Sequence, residues 1–293
     1  MIRLGTRGSR LARTQSGTVA DSITALTGQP VRLVEIRSEG DDQTIPLDAG
    51  PRPGLFVSAL RDALLAGKVD LLVHSFKDLP SAPHEELTLV AVPERGNPVD
   101  VIYSLAGGLA DLPERATVGT SSPRRTAALR RLRPDLRVVP IRGNVDTRLD
   151  KVRDGELDAV VLAAAGLERL GVVDDNVHPI DPAHLLPAPA QGALAVECRV
   201  NDKLIAQVGE LDDTSTRVAV TAERAVLRGL DASCATAVGA FAIWLDERVL
   251  LLSAELSGHA GIEYVRVSRS ATVDDVEGAE RLGRTVAESL LTP

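Results

Sequence analysis

Cysteine is nearly absent. Cys198 and Cys234 are the only two in 293 residues, which excludes a disulfide framework and any cysteine-based zinc spacing. Aromatic residues are as scarce, with three Phe, two Tyr and one Trp, so the stacking surfaces on which single strands and RNA loops are read are missing. The formal net charge of -8 and a pI near 5.2 further exclude an ordinary nucleic-acid partner. No apolar run approaches a membrane span and the first residues form no apolar signal stretch, so a cytoplasmic location without a membrane partner is expected. The five histidines are scattered and suggest no metal cluster. Lysine is short as well: Lys68, Lys77, Lys151 and Lys203 are the only four among 33 basic residues.

What the chain has instead is arginine, concentrated against the acidic background. Nine arginines and one lysine fall between Arg124 and Arg153, opposed only by Asp135, Asp146 and Asp150. The block opens at Gly119-Thr120-Ser121-Ser122-Pro123-Arg124-Arg125, which reads as a strand end turning into a helix, with Ser122 as N-cap and Pro123 as first helical residue. Arg124 and Arg125 then fall in the first turn, where the helix dipole disfavours cations by about 0.3–1 kcal/mol each. An anion bound at that terminus would reverse the sign, because it meets free backbone N–H groups and guanidinium forks together. Arg130, Arg131, Arg133 and Arg137 lie further along an amphipathic helix and read as a solvated face.

Strand and helix patterns alternate through the first two thirds: a strand at Ile2–Gly5, a helix at 10–26, a strand at Val31–Ile36, a helix at 55–66, and short buried runs at 70–75 and 87–92. They resume with strands near Thr117–Gly119 and Leu136–Ile141, a helix at 146–153 and an apolar run at 158–165. This is α/β architecture with mostly parallel sheets. Two echoes suggest a pair of similar lobes. Gly5-Thr6 and Gly119-Thr120 each lead to a serine-capped helix, and Gly67–Val73 resembles Gly155–Val161. Two such lobes present helix N-termini at the carboxyl ends of their strands and enclose a cleft. Thr44–Gly54, with three prolines, reads as a lid. The proline-bearing 181–193 stretch is a connector, and Leu194–Val200 is a strand returning to the first lobe. After Thr214 the order becomes helix, three strands, helix, which makes a small α+β domain. The expected boundaries are 1–94 with 192–212 for domain 1, 95–191 for domain 2 and 213–293 for domain 3.

Val73-His74-Ser75-Phe76-Lys77-Asp78-Leu79-Pro80 leaves a buried strand carrying one of the four lysines beside an acid. Arg142-Gly143-Asn144 and Thr147-Arg148 follow another strand end and extend the basic lining. Cys234 stands in a small-residue turn and is the better candidate for covalent chemistry, whereas Cys198 lies inside a strand and reads as a core thiol. The residues alone leave two readings open: an enzyme, or a non-catalytic two-lobed anion-binding or effector-sensing protein.

These segments, with Gly5-Thr6-Arg7-Gly8-Ser9, Gly54-Leu55-Phe56, Ala165–Gly171, Pro189-Ala190-Gln191-Gly192-Ala193 and Val196-Glu197-Cys198-Arg199, closely resemble the hydroxymethylbilane synthase (porphobilinogen deaminase) family along essentially the whole chain. The resemblance implies a monomer of two periplasmic-binding-protein-like α/β lobes with a cleft between them, plus the small C-terminal α+β domain. It implies a dipyrromethane cofactor joined by thioether to Cys234. It also implies a transferase that condenses four porphobilinogens head to tail with loss of ammonia, then releases linear hydroxymethylbilane by hydrolysis. Asp78 takes the position of the catalytic acid. Lys77, Ser75, Thr120, Ser121, Ser122, Arg124, Arg125, Arg142, Gly143 and Asn144 fall at cofactor-binding positions. Arg7, Ser9, Phe56, Arg148, Arg169, Gln191 and Gly192 fall at substrate-binding ones. Each pyrrole ring carries an acetate and a propionate, so a growing chain is polyanionic and suited to an arginine-lined cleft.

Overall fold

The computed structural model describes residues 1–37, 57–232, 236–258 and 263–292. The lid reading at Thr44–Gly54, Phe56 and Cys234 lie outside the described residues. The chain begins β1 (Ile2–Thr6), α1 (Arg10–Thr27), β2 (Val31–Glu35), α2 (Ser58–Leu65), β3 (Leu71–Ser75), β4 (Leu87–Ala91) and β5 (Asp100–Ser104). It continues β6 (Thr117–Gly119), α3 (Pro123–Leu132), β7 (Arg137–Val139), α4 (Val145–Arg153), β8 (Ala159–Ala163), α5 (Ala164–Arg169), β9 (Val177–Pro179) and β10 (Leu194–Arg199). Last come α6 (Ile205–Val208), α7 (Thr214–Gly229), β11 (Ala237–Trp244), β12 (Val249–Ser257), β13 (Tyr264–Thr272) and α8 (Val276–Leu291). No helix among the described residues is long and apolar enough to cross a membrane.

The chain divides into two compact units, Met1–Gly96 with Ala193–Arg217, and Asn97–Gly192 with Val218–Pro293. The first holds one five-stranded sheet in the order β2-β1-β3-β10-β4. β1 runs parallel to β2 and β3, whereas β10 is antiparallel to both β3 and β4. Leu4, Leu71, Val73, Val196 and Cys198 pack from this sheet against Val19 and Ile23 of α1. Burial pushes the Cys198 thiol up to about 11, as befits a packed core thiol.

The second unit repeats the plan as β7-β6-β8-β5-β9, with β6 parallel to β7 and β8, and β5 antiparallel to β8 and β9. The internal echoes hold at the level of single bonds. Asp70 accepts the Arg3 backbone N–H at 2.8 Å, and Asp158 accepts the Thr117 N–H at 2.6 Å. A Cβ on Gly5 would sit 2.7 Å from Leu72, and one on Gly119 2.8 Å from Leu157. Glycine therefore stands near the carboxyl end of the equivalent strand in both sheets, where an apolar side chain from a neighbouring segment needs the space. The third sheet, β11-β12-β13, is wholly antiparallel and packs with α7 and α8 around Val226, Leu250, Leu252 and Val286.

The expectation of mostly parallel sheets needs correction. In each five-stranded sheet two of the four pairings are antiparallel. The reversed strands are buried on both faces and read as apolar runs just as parallel strands do, so periodicity does not reveal their direction.

One buried charge cluster joins α2 to the first sheet. Glu197 of β10 is paired by Arg61 at 2.6 Å, and His74 Nε2 lies 3.1 Å away, out of line for a straight hydrogen bond. Burial acts to raise the Glu197 carboxyl, but His74 and Arg61 outweigh it and bring it down from 4.5 to about 2. A depressed carboxylate stabilises the fold above its unfolded value, and that contribution drains away as pH falls towards the folded one. The difference is on the order of 3 kcal/mol. Denaturant midpoints of the wild type are therefore expected to fall more steeply between pH 5 and 2 than those of Glu197→Gln. Parallel profiles across that window would remove Glu197 from the acid response.

Candidate active site

In the first sheet the carboxyl ends of β1 and β3 lie at one edge, and antiparallel β10 starts there, with Leu194 opposite Ser75. Arg7 and Ser9 follow β1, and the Ser9 hydroxyl caps α1 by accepting the Ala12 N–H at 3.2 Å. Ser75 ends β3 and donates to Gln15 of α1 at 3.1 Å. A single 3₁₀ turn, Phe76–Asp78, follows. Its start is fixed by Phe76 N–H to Ala193 O at 3.0 Å, while Phe76 is buried as its anchor. Lys77 is left half-buried and Asp78 exposed. Of the residues predicted for this unit, Arg7, Ser9, Ser75, Lys77 and Asp78 thus share one sheet edge.

The second unit repeats the construction with more arginine. Thr120 to Ser122 follow β6, Ile141 to Asn144 follow β7, and Ala164 follows β8. Ser122 caps α3 through the Arg125 N–H, with Pro123 at the first helical position. The Thr120 hydroxyl accepts the Ser122 N–H at 3.2 Å, and Ser121 exchanges two bonds with the Ile141 backbone, at 2.7 and 2.9 Å. Those bonds splice the two strand ends together. Asn144 caps α4 by accepting from Thr147 N at 2.9 Å. Gly143 has φ +105, and a Cβ there would lie 3.0 Å from Thr147. No other residue meets both demands without strain. Arg142 is half-buried beside this turn.

Arg124 and Arg125 do not extend into solvent; both are buried. Asp100, the first residue of β5 and fully buried, supplies their counter-charge. Its Oδ2 accepts from Arg124 Nη1 at 2.6 Å, and its Oδ1 from Arg125 Nε and Nη2 at 2.9 and 2.6 Å. Gln191 Nε2 also donates to Oδ1 at 3.1 Å and to Pro98 O at 2.7 Å. The offset for the cations in the first helical turn, which the sequence assigned to a bound anion, therefore comes in part from within the chain. Asp100 reaches this edge because β5 runs backwards beside β8, bringing its first residue opposite Ala163. Removing one member of such a buried pair costs about 3–5 kcal/mol, since the other is left charged and unpaired.

Positive charge still exceeds what Asp100 covers. Arg124 Nε is buried with no hydrogen-bond partner among the described residues, an omission worth roughly 1–3 kcal/mol if nothing ever satisfies it. Arg148, in the first turn of α4, donates through Nε to Gly143 O at 2.9 Å. Burial pushes its guanidinium below the ordinary value, and neighbouring Arg125 pushes the same way. Burial likewise lowers Arg125 itself, with Asp100 opposing and Arg124 adding to the fall. Arg169, at the end of α5, is lowered by burial and donates to the carbonyl of Gly192. Gly192 has φ +88, and Ala190 two residues earlier has φ +61. Glu223 of α7 holds the Ala190 conformation by accepting its N–H at 2.6 Å. Desolvated guanidiniums and an orphaned donor at one sheet edge are the signature of a carboxylate or phosphate site.

Asp100 and Glu223 escaped the sequence reading. The one signal for Asp100 was an acid heading the apolar run Val101-Ile102-Tyr103, and for Glu223 an acid inside an otherwise apolar helix face. Thr120–Arg125, Arg142–Asn144, Arg148, Arg169, Gln191 and Gly192 all belong to the second unit.

Residues 2–207 match the family profile described as porphobilinogen deaminase, dipyromethane cofactor binding domain, and residues 217–292 match porphobilinogen deaminase, C-terminal domain. The porphobilinogen deaminase of Thermobifida fusca is 52% identical over 296 residues, covering 99% of this chain and 92% of its own. Porphobilinogen deaminase 1 of Streptomyces coelicolor is 49% identical, covering 99% and 94%. The Mycobacterium bovis protein of the same name is 48% identical, covering 99% and 96%. Among solved structures, the periplasmic VFT2 domain of Bordetella pertussis BvgS aligns at 13% identity and a TM-score of 0.43, over 72% of this chain and 86% of that domain.

Proposed function

Because the chain belongs to the porphobilinogen deaminase family, we propose that Asp78 handles the proton of its reaction and that the second unit's arginines handle the carboxylates. The protein is a hydroxymethylbilane synthase, a transferase of tetrapyrrole biosynthesis. It condenses four porphobilinogens onto a dipyrromethane primer with loss of ammonia, then frees the linear product by hydrolysis. The observation that supports the residue-level reading is the cationic excess in the second unit: Arg124 Nε without a partner among the described residues, and Arg148 desolvated and pressed by Arg125.

That excess fits dipyrromethane, whose acetates and propionates bring several carboxylates. Arg124 would hold those groups, with Thr120, Ser121, Ser122, Arg142, Gly143 and Asn144 shaping the turns around it, and Arg148 and Arg169 would take the carboxylates of the incoming substrate. Ser75 and Lys77, at the first unit's own sheet edge, keep the cofactor-binding role that the family resemblance gives them. When bound, the primer supplies a nucleophilic pyrrole carbon. Asp78 protonates or hydrogen-bonds the departing amino group of porphobilinogen, and its carboxylate then stabilises the cation left behind. Arg7, Ser9, Phe56 and Gly192 complete the substrate contacts, whereas Gln191, expected among them, is buried and acts through its bond to Asp100. Cys234 is the attachment point, since Cys198 is buried in β10 with its thiol pushed up to about 11. The organisation into domains 1–94 with 192–212, 95–191 and 213–293, the cytoplasmic location and the monomeric state belong to the same reading. Whole-length similarity to deaminases disfavours a non-catalytic receptor.

Intact-mass measurement tests it. Wild-type protein is expected to be heavier than its sequence by one dipyrromethane, and Cys234→Ser to have the bare sequence mass and no turnover of porphobilinogen. An unmodified wild type that still consumes porphobilinogen would overturn the attachment.

A further inference from the structure

Arg124 and Arg125 are adjacent in sequence and equally buried, yet they are bound differently. All three kinds of Arg125 side-chain nitrogen have partners within the chain: Nε and Nη2 on Asp100 Oδ1, at 2.9 and 2.6 Å, and Nη1 on Val161 O at 2.8 Å. Among the described residues Arg124 is held through Nη1, which donates both to Asp100 Oδ2 and to Leu186 O, each at 2.6 Å. Its Nε is buried and has no partner among the described residues. A single carboxylate has thus taken one guanidinium side-on and the other end-on. Gln191 adds a neutral donor to Oδ1 and steadies the carboxylate without adding charge.

We propose that Asp100 is a positioning residue for the bound oligopyrrole: it commits Arg125 to the fold as a brace and holds Arg124 end-on, with its Nε edge left for a ligand carboxylate. The assignment rests on the family reading above, which supplies the carboxylate. One aspartate between two arginines, with burial and the nearby Arg125 both acting to depress Arg148, leaves net positive charge in place. A second internal acid would have consumed the edge that the ligand needs. The length of the aspartate matters as much as its charge. Bringing Oδ1 against two nitrogens of Arg125 while Oδ2 meets only Nη1 of Arg124 fixes the angle between the two guanidinium planes. A longer side chain would change that angle.

Two variants of the full-length protein separate positioning from simple charge balance. Asp100→Asn keeps the shape and loses the charge; Asp100→Glu keeps the charge and moves the oxygens by one methylene. The readouts are the fraction of protein carrying dipyrromethane by intact mass, the melting temperature, and KM and kcat of the loaded fraction. Both variants are expected to load at least fivefold less cofactor. What does load is expected to show KM for porphobilinogen raised at least tenfold, with kcat within threefold of wild type. If Asp100→Glu restores wild-type loading and KM, Asp100 is only a counter-charge and the proposal fails. It fails equally if Asp100→Asn merely melts lower and loads as the wild type does. Should Asp100→Asn not fold, the Glu variant decides alone. Wild-type protein without the added mass would be a different failure, overturning the cofactor assignment and this proposal with it.

Discussion

Asp78→Asn is expected to fold as the wild type does and to lose turnover by about 10²–10⁴-fold, the range over which a positioned proton donor contributes. The first half follows from how the turn is built. Phe76–Asp78 is fixed by the bond from Phe76 N–H to Ala193 O and by Leu79 N–H to Phe76 O at 3.2 Å, while buried Phe76 and Leu79 flank it. The Asp78 side chain itself is exposed. An isosteric amide there changes stability by no more than about 0.5 kcal/mol. The second half follows from the chemistry. Losing ammonia requires a proton on the departing nitrogen and leaves a cation on the substrate; an amide neither supplies the proton nor carries the opposing charge. Porphobilinogen consumption and a melting curve on the same sample check both halves. A rate within threefold of wild type would remove Asp78 from the mechanism, and a collapsed melting temperature would make it structural.

The parts legible from sequence were those written in local pattern. Serine caps, proline at the first helical position and glycine near strand ends each act within four residues, and Ser9, Ser122, Gly5 and Gly119 sit where that logic places them, while the Asn144 cap went unread. The paired lobes were visible too, because Asp70 and Asp158 open equivalent strands with equivalent bonds. Strand direction and the partners of buried charge were not legible. β5 and β9 went unseen: β9 is three residues long, and β5 carries its acid at the end where an isolated strand would place solvent. Asp100 acquires meaning only once β5 is reversed beside β8, a contact between residues about sixty apart that no local pattern encodes. The same holds for Glu197, whose partners Arg61 and His74 come from distant elements. Local chemistry thus located the cationic edge, and long-range topology decided how its charge is balanced.

Arg148→Leu is expected to move affinity and stability in opposite directions. In the free protein the guanidinium is half-buried, holds only the Gly143 carbonyl at 2.9 Å and meets no carboxylate among the described residues. Burial and Arg125 both disfavour its charge. Leucine removes that cost while keeping the apolar stem in contact with the site, and solvent can satisfy the half-buried Gly143 carbonyl. A gain of roughly 1 kcal/mol, or about 2–4 °C in melting temperature, is expected for a unit of this size. Ligand binding reverses the balance, because a carboxylate meeting Arg148 forms a charge-assisted hydrogen bond worth about 1.5–3 kcal/mol. Losing it raises KM for porphobilinogen, or lowers the fraction of cofactor-loaded protein, by roughly 10- to 150-fold. The pairing of signs is the discriminating feature, since a residue kept for the fold would lose stability and a residue kept for neither would move nothing. A melting temperature that drops together with an unchanged KM would place Arg148 in the scaffold and leave the excess charge of this unit without a ligand to explain it.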